Sequence, residues 1–257
     1  MAEHFLAGLA GIIIAGIAAQ WLAWRLRLPS ILLLLIAGFL LGPVTKIVNP
    51  DELFGNLLFP TISLSVALIL FEGGLSLKLT ELPEMGWALL KLVSIGALTT
   101  WAISAAAAHY ILGLDPLFSI LLGALVMVTG PTVTGPMLQY IRPQTKLNNL
   151  LKWEGIIIDP LGAMFAVLAF EVLLAGNLDK VPLVAVTSII RTIAFGGIIG
   201  ALTAIVLTIM LRYYWIPDFL QNPLALMSVV LAFVLANSAQ AESGLLAVTV
   251  MGITLVN

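Results

Sequence analysis

Two polar stretches that could hold a cation or a proton interrupt an otherwise apolar chain. Residues 128–136 contain two Gly-Pro pairs and three threonines, and residues 153–160 place the carboxylates of Glu154 and Asp159 in an apolar run. A charged side chain at membrane depth costs at least about 2.5 to 3.5 kcal/mol on the insertion scale. Acidic groups retained at such a cost indicate a function.

The Gly-Pro pairs predict a broken helix. Each proline removes a backbone donor, and groups freed within a membrane must bond to neighbouring protein or line a cavity. Thr129 and Thr132 add hydroxyl oxygens beside Gly130. Counted at about 1.5 Å per residue from the intervening turn, Gly130 and Asp159 lie about 15 to 17 Å from that turn, near the bilayer midplane. Pro160 is expected to kink the second helix beside Asp159.

Together the two stretches predict a site for a monovalent cation. Such cations are held by carboxylate, carbonyl and hydroxyl oxygens, which Asp159, Thr129 and the freed backbone supply. A buried carboxylate that releases its proton when a cation arrives makes an exchanger. The alternative is that Asp159 is a structural residue paired with a backbone donor or another helix. His4 and His109 fall near predicted helix ends, so we expect no transition metal and no cofactor.

The composition is that of a multi-pass membrane protein. Of 257 residues, 61% are hydrophobic and 9% are charged, against 45 to 50% apolar residues in typical soluble domains. The absence of cysteine and the net charge of -2 exclude a disulfide scaffold and argue against a nucleic-acid partner. Spanning helices need about 20 apolar residues. Roughly nine apolar runs are present, at 5–24, 30–48, 57–78, 86–112, 116–140, 148–175, 183–211, 222–237 and 243 to the end.

Basic residues predict the orientation. The loops after helices 1, 3, 5 and 7 hold Arg25, Arg27, Lys78, Lys91, Arg142, Lys146, Lys152 and Arg212, whereas the other loops hold Lys46 and Lys180. By the positive-inside rule the N-terminus faces outside, and we expect a bacterial inner or plasma membrane location. An aromatic belt at the interfaces is expected from Trp21, Trp24, Trp87, Trp153 and Trp215.

A weak internal repeat suggests how the helices are organised. A shift of 214 positions aligns three residues of helix 2 with three of helix 9, namely Leu32, Gly38 and Leu41 with Leu246, Gly252 and Leu255. The two helices run in opposite directions, which indicates an inverted repeat of the kind that transporters carry. We expect a first repeat at 1–176, a linking helix at 177–216, and an incomplete second repeat at 217–257. The chain is thus expected to be a fragment truncated after about nine helices.

Several motifs resemble those of the monovalent cation:proton antiporters of the Na+/H+ exchanger superfamily. They are Leu-Phe-Glu-Gly-Gly-Leu-Ser-Leu at 70–77, Thr-Gly-Pro-Thr at 129–132, Glu154-Gly155 and Asp159-Pro160. The resemblance implies the N-terminal part of a thirteen-helix domain with inverted repeats, a crossed pair of broken helices, and a homodimer working by alternating access. It assigns the shared cation and proton carrier to Asp159 and a ligand to Thr129, and pairs Glu154 with an arginine of a later helix.

Two departures from the family pattern bear on the transported ion. Members commonly have aspartate where this chain has Gly130, and asparagine or aspartate where it has Ile158. With Asp159 as the single titrating carboxylate of that pair, one proton per cation is favoured. A site with fewer charged oxygens also holds a small, strongly hydrated ion less well, so Na+ and K+ both stay open as substrates.

Two other functions and one further candidate site remain open. A passive cation channel or a structural membrane subunit are the alternatives to an antiporter. An enzyme is not expected, because Glu154 and Asp159 diverge by about 140° around a helix and could not act as a catalytic pair. Glu72 precedes two glycines, and for this carboxylate an accessory ion-binding role and a structural role remain equally open.

Overall fold

The computed structural model describes residues 2–175 and 181–257, which are helical with short connections and contain no strand. The helices are α1 (Ala2–Leu26), α2 (Ser30–Phe39), α3 (Pro50–Phe54), α4 (Leu58–Leu75), α5 (Leu82–Lys91), α6 (Ala97–Tyr110), α7 (Pro116–Val126), α8 (Pro131–Ile141), α9 (Thr145–Ala175), α10 (Val181–Arg212), α11 (Gln221–Ala239) and α12 (Ser243–Val256). π-Helical turns follow α2 (Leu40–Val44) and α5 (Leu92–Gly96). The all-α prediction is confirmed.

The helices have the length and composition of membrane spans. Within the described ranges, six helical segments are long and apolar enough to cross a membrane, or seven if α7 and α8 form one bent span. Two shorter apolar helices, Ser30–Val44 and Ser243–Val256, account for the remaining predicted runs. The protein is therefore an integral multi-pass membrane protein. The predicted repeat boundary at 176/177 and Lys180 lie outside the described residues.

One proline prediction fails against the observed helices, and the kink expected at Pro160 stays a prediction. The second Gly-Pro pair, Gly135-Pro136, lies inside α8 without ending it, and α9 continues through Pro160 for 31 residues. Gly135 has no Cβ to collide with the proline ring, which is why a helical conformation before proline is tolerated there. In α9, Ile156 and Ile158 are 2% and 1% exposed, so packing beside Pro160 offsets one lost hydrogen bond.

The chain divides into two compact units. The first comprises the described residues up to Ser63 together with Gly135–Pro143. Within it α1 packs on α2, and a Cβ added to Gly8 would lie 2.6 Å from Leu53 Cδ1 of α3. The second unit comprises Leu64–Thr134 and the described part of Gln144–Asn257. The helix α8 thus contributes its first turn to one unit and its remainder to the other.

The largest core cluster of the second unit joins α4, α10, α11 and α12. Its buried members are Ala67, Leu70, Ala204, Leu207, Ile216, Val229, Ala232, Phe233, Val248 and Met251. Small residues let the helices approach, as is usual where membrane helices pack. A Cβ on Gly74 would lie 2.6 Å from the Thr249 carbonyl oxygen, and one on Gly252 would lie 2.5 Å from that of Phe71. The helices α4 and α12 therefore cross with their backbones in contact.

A second buried cluster surrounds the first turns of α9. It contains Leu77, Met85, Leu89, Trp153 and Ile156. Trp153 is 3% exposed, so its assignment to an aromatic belt is wrong, whereas the other four tryptophans of that prediction are 58% exposed or more. The Trp153 indole is buried because its Nε1 donates to Glu81 Oε2 at 3.1 Å. This end of α9 is thereby anchored to the chain that follows α4.

Candidate functional site

The helical ladder is interrupted between α7 and α8. The helix α7 ends at Val126, α8 begins at Pro131, and the two are bent by 44°. The Gly130 carbonyl oxygen accepts from the amides of Val133 and Thr134, each at 3.1 Å, and so starts α8. Pro131 suits this position because the first helical residue has no intrahelical acceptor for an amide. The predicted break is thus centred on the first Gly-Pro pair.

The helix α9 lies directly against this break because Gly155 has no side chain. A Cβ on Gly155 would lie 2.8 Å from Thr134 Oγ1 and 3.1 Å from the Thr129 carbonyl oxygen. One further contact of the same kind joins Gly162 to Val128. Any larger residue at 155 would push α9 away from the interrupted backbone.

Glu154 reaches the break through a hydrogen bond. The Thr129 hydroxyl donates to Glu154 Oε1 at 2.6 Å. A hydrogen bond to a carboxylate is shorter and stronger than one between neutral groups. The bond fixes the Thr129 side chain against α9, so its hydroxyl proton is directed at Glu154 and its lone pairs remain open to a cation.

Asp159 lies next to Gly130. A Cβ on Gly130 would lie 3.7 Å from Asp159 Oδ1 and 3.6 Å from Thr132 Oγ1, which is ordinary contact distance. The carboxylate is half-buried, and no hydrogen bond or ion pair to it occurs in the described part of the chain. The N-terminal end of α8 begins one residue after Gly130, and its partial positive charge favours an anion there.

The structure therefore brings together Asp159, Thr129, Glu154, Gly130 and Thr132, the five residues of the predicted ion site. The Glu154 carboxylate, the threonine hydroxyls and the backbone carbonyl oxygens lie here near the Asp159 carboxylate, which has no described partner. Such an arrangement can hold either a cation or a proton. Among the described residues, no group of three or more His, Cys, Asp or Glu side chains has the geometry of a metal site.

Glu72 is not brought into this group. Its side chain is exposed on α4, with no hydrogen bond or ion pair to the described residues. The adjacent Gly73 does reach α9, since a Cβ there would lie 3.3 Å from Ile156 Cγ1. The two-glycine motif after Glu72 therefore explains helix packing, while the carboxylate itself faces outward.

Ile158 occupies a different environment from its neighbour Asp159. It is 1% exposed and packs with Ala97 and Met127 in a small buried cluster. The Ile158 side chain thus fills an apolar space among these residues, so it takes no part in the candidate ion site.

Sequence reasoning missed the long-range polar contacts that α9 and the residue after α12 make with the end of α4. Lys152 Nζ donates to the Ser76 carbonyl oxygen at 3.0 Å, one residue before the buried Trp153. In the same region Asn257 Nδ2 donates to the Leu77 carbonyl oxygen at 3.0 Å, and Asn257 Oδ1 accepts from the Leu79 amide at 2.8 Å. These polar groups cap the end of α4. Their partners lie about 70 to 180 positions apart, so no local pattern could have identified them.

Comparison with known proteins places this arrangement in context. A family model described as "Sodium/hydrogen exchanger, transmembrane" matches residues 9–257. The curated Na(+)/H(+) antiporter 1 of Methanocaldococcus jannaschii is 25% identical over 152 residues, which are 58% of this chain and 35% of that protein.

Solved structures show the same fold. Two structures of the sodium proton antiporter MjNhaP1 from Methanocaldococcus jannaschii match with TM-scores of 0.78 and 0.76 at 24% and 22% identity. They cover 98% and 100% of this chain, which in turn spans 62% of each. The predicted antiporter fold is confirmed.

Proposed function

Because the chain belongs to the sodium/hydrogen exchanger family, we propose that it carries the ion-binding part of a secondary active antiporter. The antiporter exchanges a monovalent cation, Na+ or K+, for protons across the membrane. The observation that carries the proposal is Asp159, a half-buried carboxylate without a described partner, beside an interrupted helix. Family membership also favours a transporter over an enzyme.

Asp159 acts as the shared carrier. In the empty site the carboxylate is best neutralised by a proton, because an unpaired charge within a membrane is costly. An arriving cation replaces the proton, since it is held by the carboxylate and by the oxygens at the break. The two ligands compete for one group, and this competition couples the two fluxes.

Thr129 and Glu154 complete the site. The Thr129 hydroxyl is held by Glu154 and offers its lone pairs to the cation, and the carbonyl of Thr129 adds a second oxygen from the same residue. Thr132 Oγ1 and Asp159 Oδ1 both lie near Gly130, at 3.6 and 3.7 Å from the position of an added Cβ. Glu154 thereby positions a ligand, and its own charge attracts the cation.

The lack of a side chain at Gly130 affects which cation is preferred and how many protons are exchanged for it. Only hydrogen occupies this side-chain position, so of the two carboxylates at the break Asp159 alone is without a described partner, since Glu154 accepts from Thr129. We propose one proton per cation for this reason. A site that lacks an aspartate at position 130 gives a small ion less compensation for its lost water, so K+ competes with Na+ more effectively than in a site with that additional carboxylate.

The interrupted span supports alternating access. Half-helices whose ends meet near the membrane centre can change the side from which a bound ion is reached while the ligands stay together. We further propose a homodimer in a bacterial plasma membrane with the N-terminus outside. A passive channel is the alternative, and it differs in carrying cations without counter-movement of protons.

The test is a proteoliposome assay on the protein at its full natural length. A pH gradient is imposed, and its collapse on adding Na+, K+ or Li+ is followed for the wild type and Asp159→Asn. We expect the substitution to abolish exchange. Asp51→Asn serves as the matched control, because Asp51 is exposed in the first turn of α3, and it should exchange at the wild-type rate.

Two outcomes would contradict the proposal. Full coupled exchange by Asp159→Asn would move the carrier to another residue. Cation flux that leaves the pH gradient intact in the wild type would favour the channel.

A further inference from the structure

A cavity in the first compact unit lies at the turn between α1 and α2. It has a volume of about 660 Å³ and is walled by the end of α1, the start of α2 and the second half of α8. Ligand pockets commonly enclose about 300 to 1,000 Å³. The cavity is open on one side and is large enough for a lipid headgroup.

The charge in this cavity is positive. Arg25 and Arg27 line it, and none of the described residues that line it is acidic. Neither guanidinium has a hydrogen bond or ion pair to any described residue. Two free guanidinium groups repel cations, so the cavity is unsuited to the ions carried at Asp159, and they match a phosphate, which guanidinium binds through paired hydrogen bonds.

Neutral donors surround the two arginines. Gln20 and Gln139 contribute side-chain amides, and Ser30 and Tyr140 contribute hydroxyls. These four side chains also lack a hydrogen-bond partner within the described ranges. A phosphate oxygen accepts hydrogen bonds from all of these groups. Six residues that line the cavity thus carry side-chain donors suited to a phosphate.

The rim of the cavity is apolar and faces outward. Trp24 is 74% exposed and Leu28 is 45% exposed, and both line the opening. Tryptophan favours the headgroup level of a bilayer. The positive-inside bias places Arg25 and Arg27 on the cytoplasmic side, where anionic lipids attract basic groups.

We propose that this cavity binds the phosphate of an anionic phospholipid headgroup from the cytoplasmic leaflet, with the acyl chains lying along Trp24 and Leu28. The ligand is held by the turn between α1 and α2 and by the last turns of α8. This site is distinct in residues and in charge from the ion site, so the inference does not depend on the proposed antiport.

The test uses the full-length protein, delipidated in a neutral detergent. Binding of phosphatidylglycerol and phosphatidylcholine is measured by native mass spectrometry and by the shift of the melting temperature. We expect phosphatidylglycerol to bind and phosphatidylcholine not to. Each basic residue near a membrane surface contributes about 1 kcal/mol, so Arg25→Gln with Arg27→Gln should weaken phosphatidylglycerol binding by about 10- to 30-fold.

The matched control removes two charges elsewhere on the predicted cytoplasmic side. Lys78→Gln with Arg212→Gln should bind phosphatidylglycerol within about threefold of the wild type. An equal loss in both double variants would overturn the proposal, because it would show attraction by net charge alone. Tyr140→Phe with Gln139→Leu keeps both arginines and should weaken binding by about threefold, which tests the cavity even if the arginine variant fails to fold.

Inorganic phosphate and glycerol 3-phosphate separate a lipid from a soluble ligand. Neither should compete with phosphatidylglycerol at matched concentration, because they lack the acyl chains that contact the apolar rim. Full displacement by either compound would overturn the lipid assignment.

Discussion

The hydroxyl of Thr129 and the carboxylate of Glu154 are joined by a hydrogen bond of 2.6 Å that ties the interrupted span to α9. The two residues are 25 positions apart, and the connection between α8 and α9 is only residues 142–144. The helix α9 packs against α7, the first half of the interrupted span, and the bond fixes the Thr129 side chain against α9.

Removing the Thr129 hydroxyl should weaken cation binding. Thr129→Val keeps the shape of the side chain but loses an oxygen ligand and the bond to Glu154. A hydrogen bond to a charged group contributes about 1.5 to 3 kcal/mol, so we expect the apparent KM for the cation to rise by about tenfold or more. Thr129→Ser, which retains the hydroxyl, should stay within about threefold. Equal KM values for both variants would contradict the assigned role.

Filling the gap at Gly130 should change the ion profile. The Cβ of Gly130→Asp makes only ordinary contacts, because the nearest atoms to it are 3.6 and 3.7 Å away. A second carboxylate beside Asp159 strengthens cation binding and favours Na+ over K+. We expect the ratio of the apparent KM values for Na+ and K+ to fall by about fivefold or more in proteoliposomes. Gly130→Ala is the size control and should leave the ratio unchanged.

Enlarging Gly155 should destabilise the protein. A Cβ there would lie 2.8 Å from Thr134 Oγ1, so Gly155→Ala forces α9 from the break. Overpacking of this kind costs about 1 to 3 kcal/mol, and we expect a lower melting temperature and reduced exchange. Gly86→Ala in α5 is the matched control, because no atom lies within 4 Å of its added Cβ. Equal melting temperatures for the two variants would show that the close approach is dispensable.

The crossing of α4 and α12 gives a second steric prediction. Gly252→Ala places a methyl group 2.5 Å from the Phe71 carbonyl oxygen and should lower the melting temperature. Gly197→Ala in α10 has open space and should raise it slightly, since alanine is favoured over glycine inside a helix by about 1 kcal/mol. The two substitutions add the same atoms, so opposite signs would isolate packing as the cause.

Glu242 predicts a pH-dependent stability. Burial raises the pKa of this carboxyl, which lies between α11 and α12. The folded state therefore binds the proton more tightly than the unfolded state, and stability falls as the pH rises from the ordinary pKa through the raised one. Glu242→Gln should thus raise the melting temperature at pH 8 and have little effect at pH 4. A benefit confined to pH 4 would contradict this assignment.

The sequence predicted which residues of the candidate site lie together better than it predicted the packing around them. The helix break follows from proline chemistry and matches the gap between α7 and α8, whereas the depth of Asp159 in a membrane stays a prediction. Packing was less accessible to prediction. Tryptophan is typical of membrane interfaces, but Trp153 is buried in an apolar cluster, where its indole N–H is satisfied by Glu81, 72 positions away. The effect of Pro136 depends on the lack of a Cβ at the preceding residue.

Because α9 continues through Pro160, it holds two carboxylates of the candidate site at a fixed separation. Glu154 and Asp159 are five residues apart on one unbroken helix, which sets their Cα atoms about 7.5 Å apart along its axis. That spacing can change little while the helix stays intact. Changes in the geometry of the site during transport must therefore come from the ligands of the interrupted span. Spectroscopic labels on α8 would therefore follow the transport cycle, and labels on α9 would supply its reference frame.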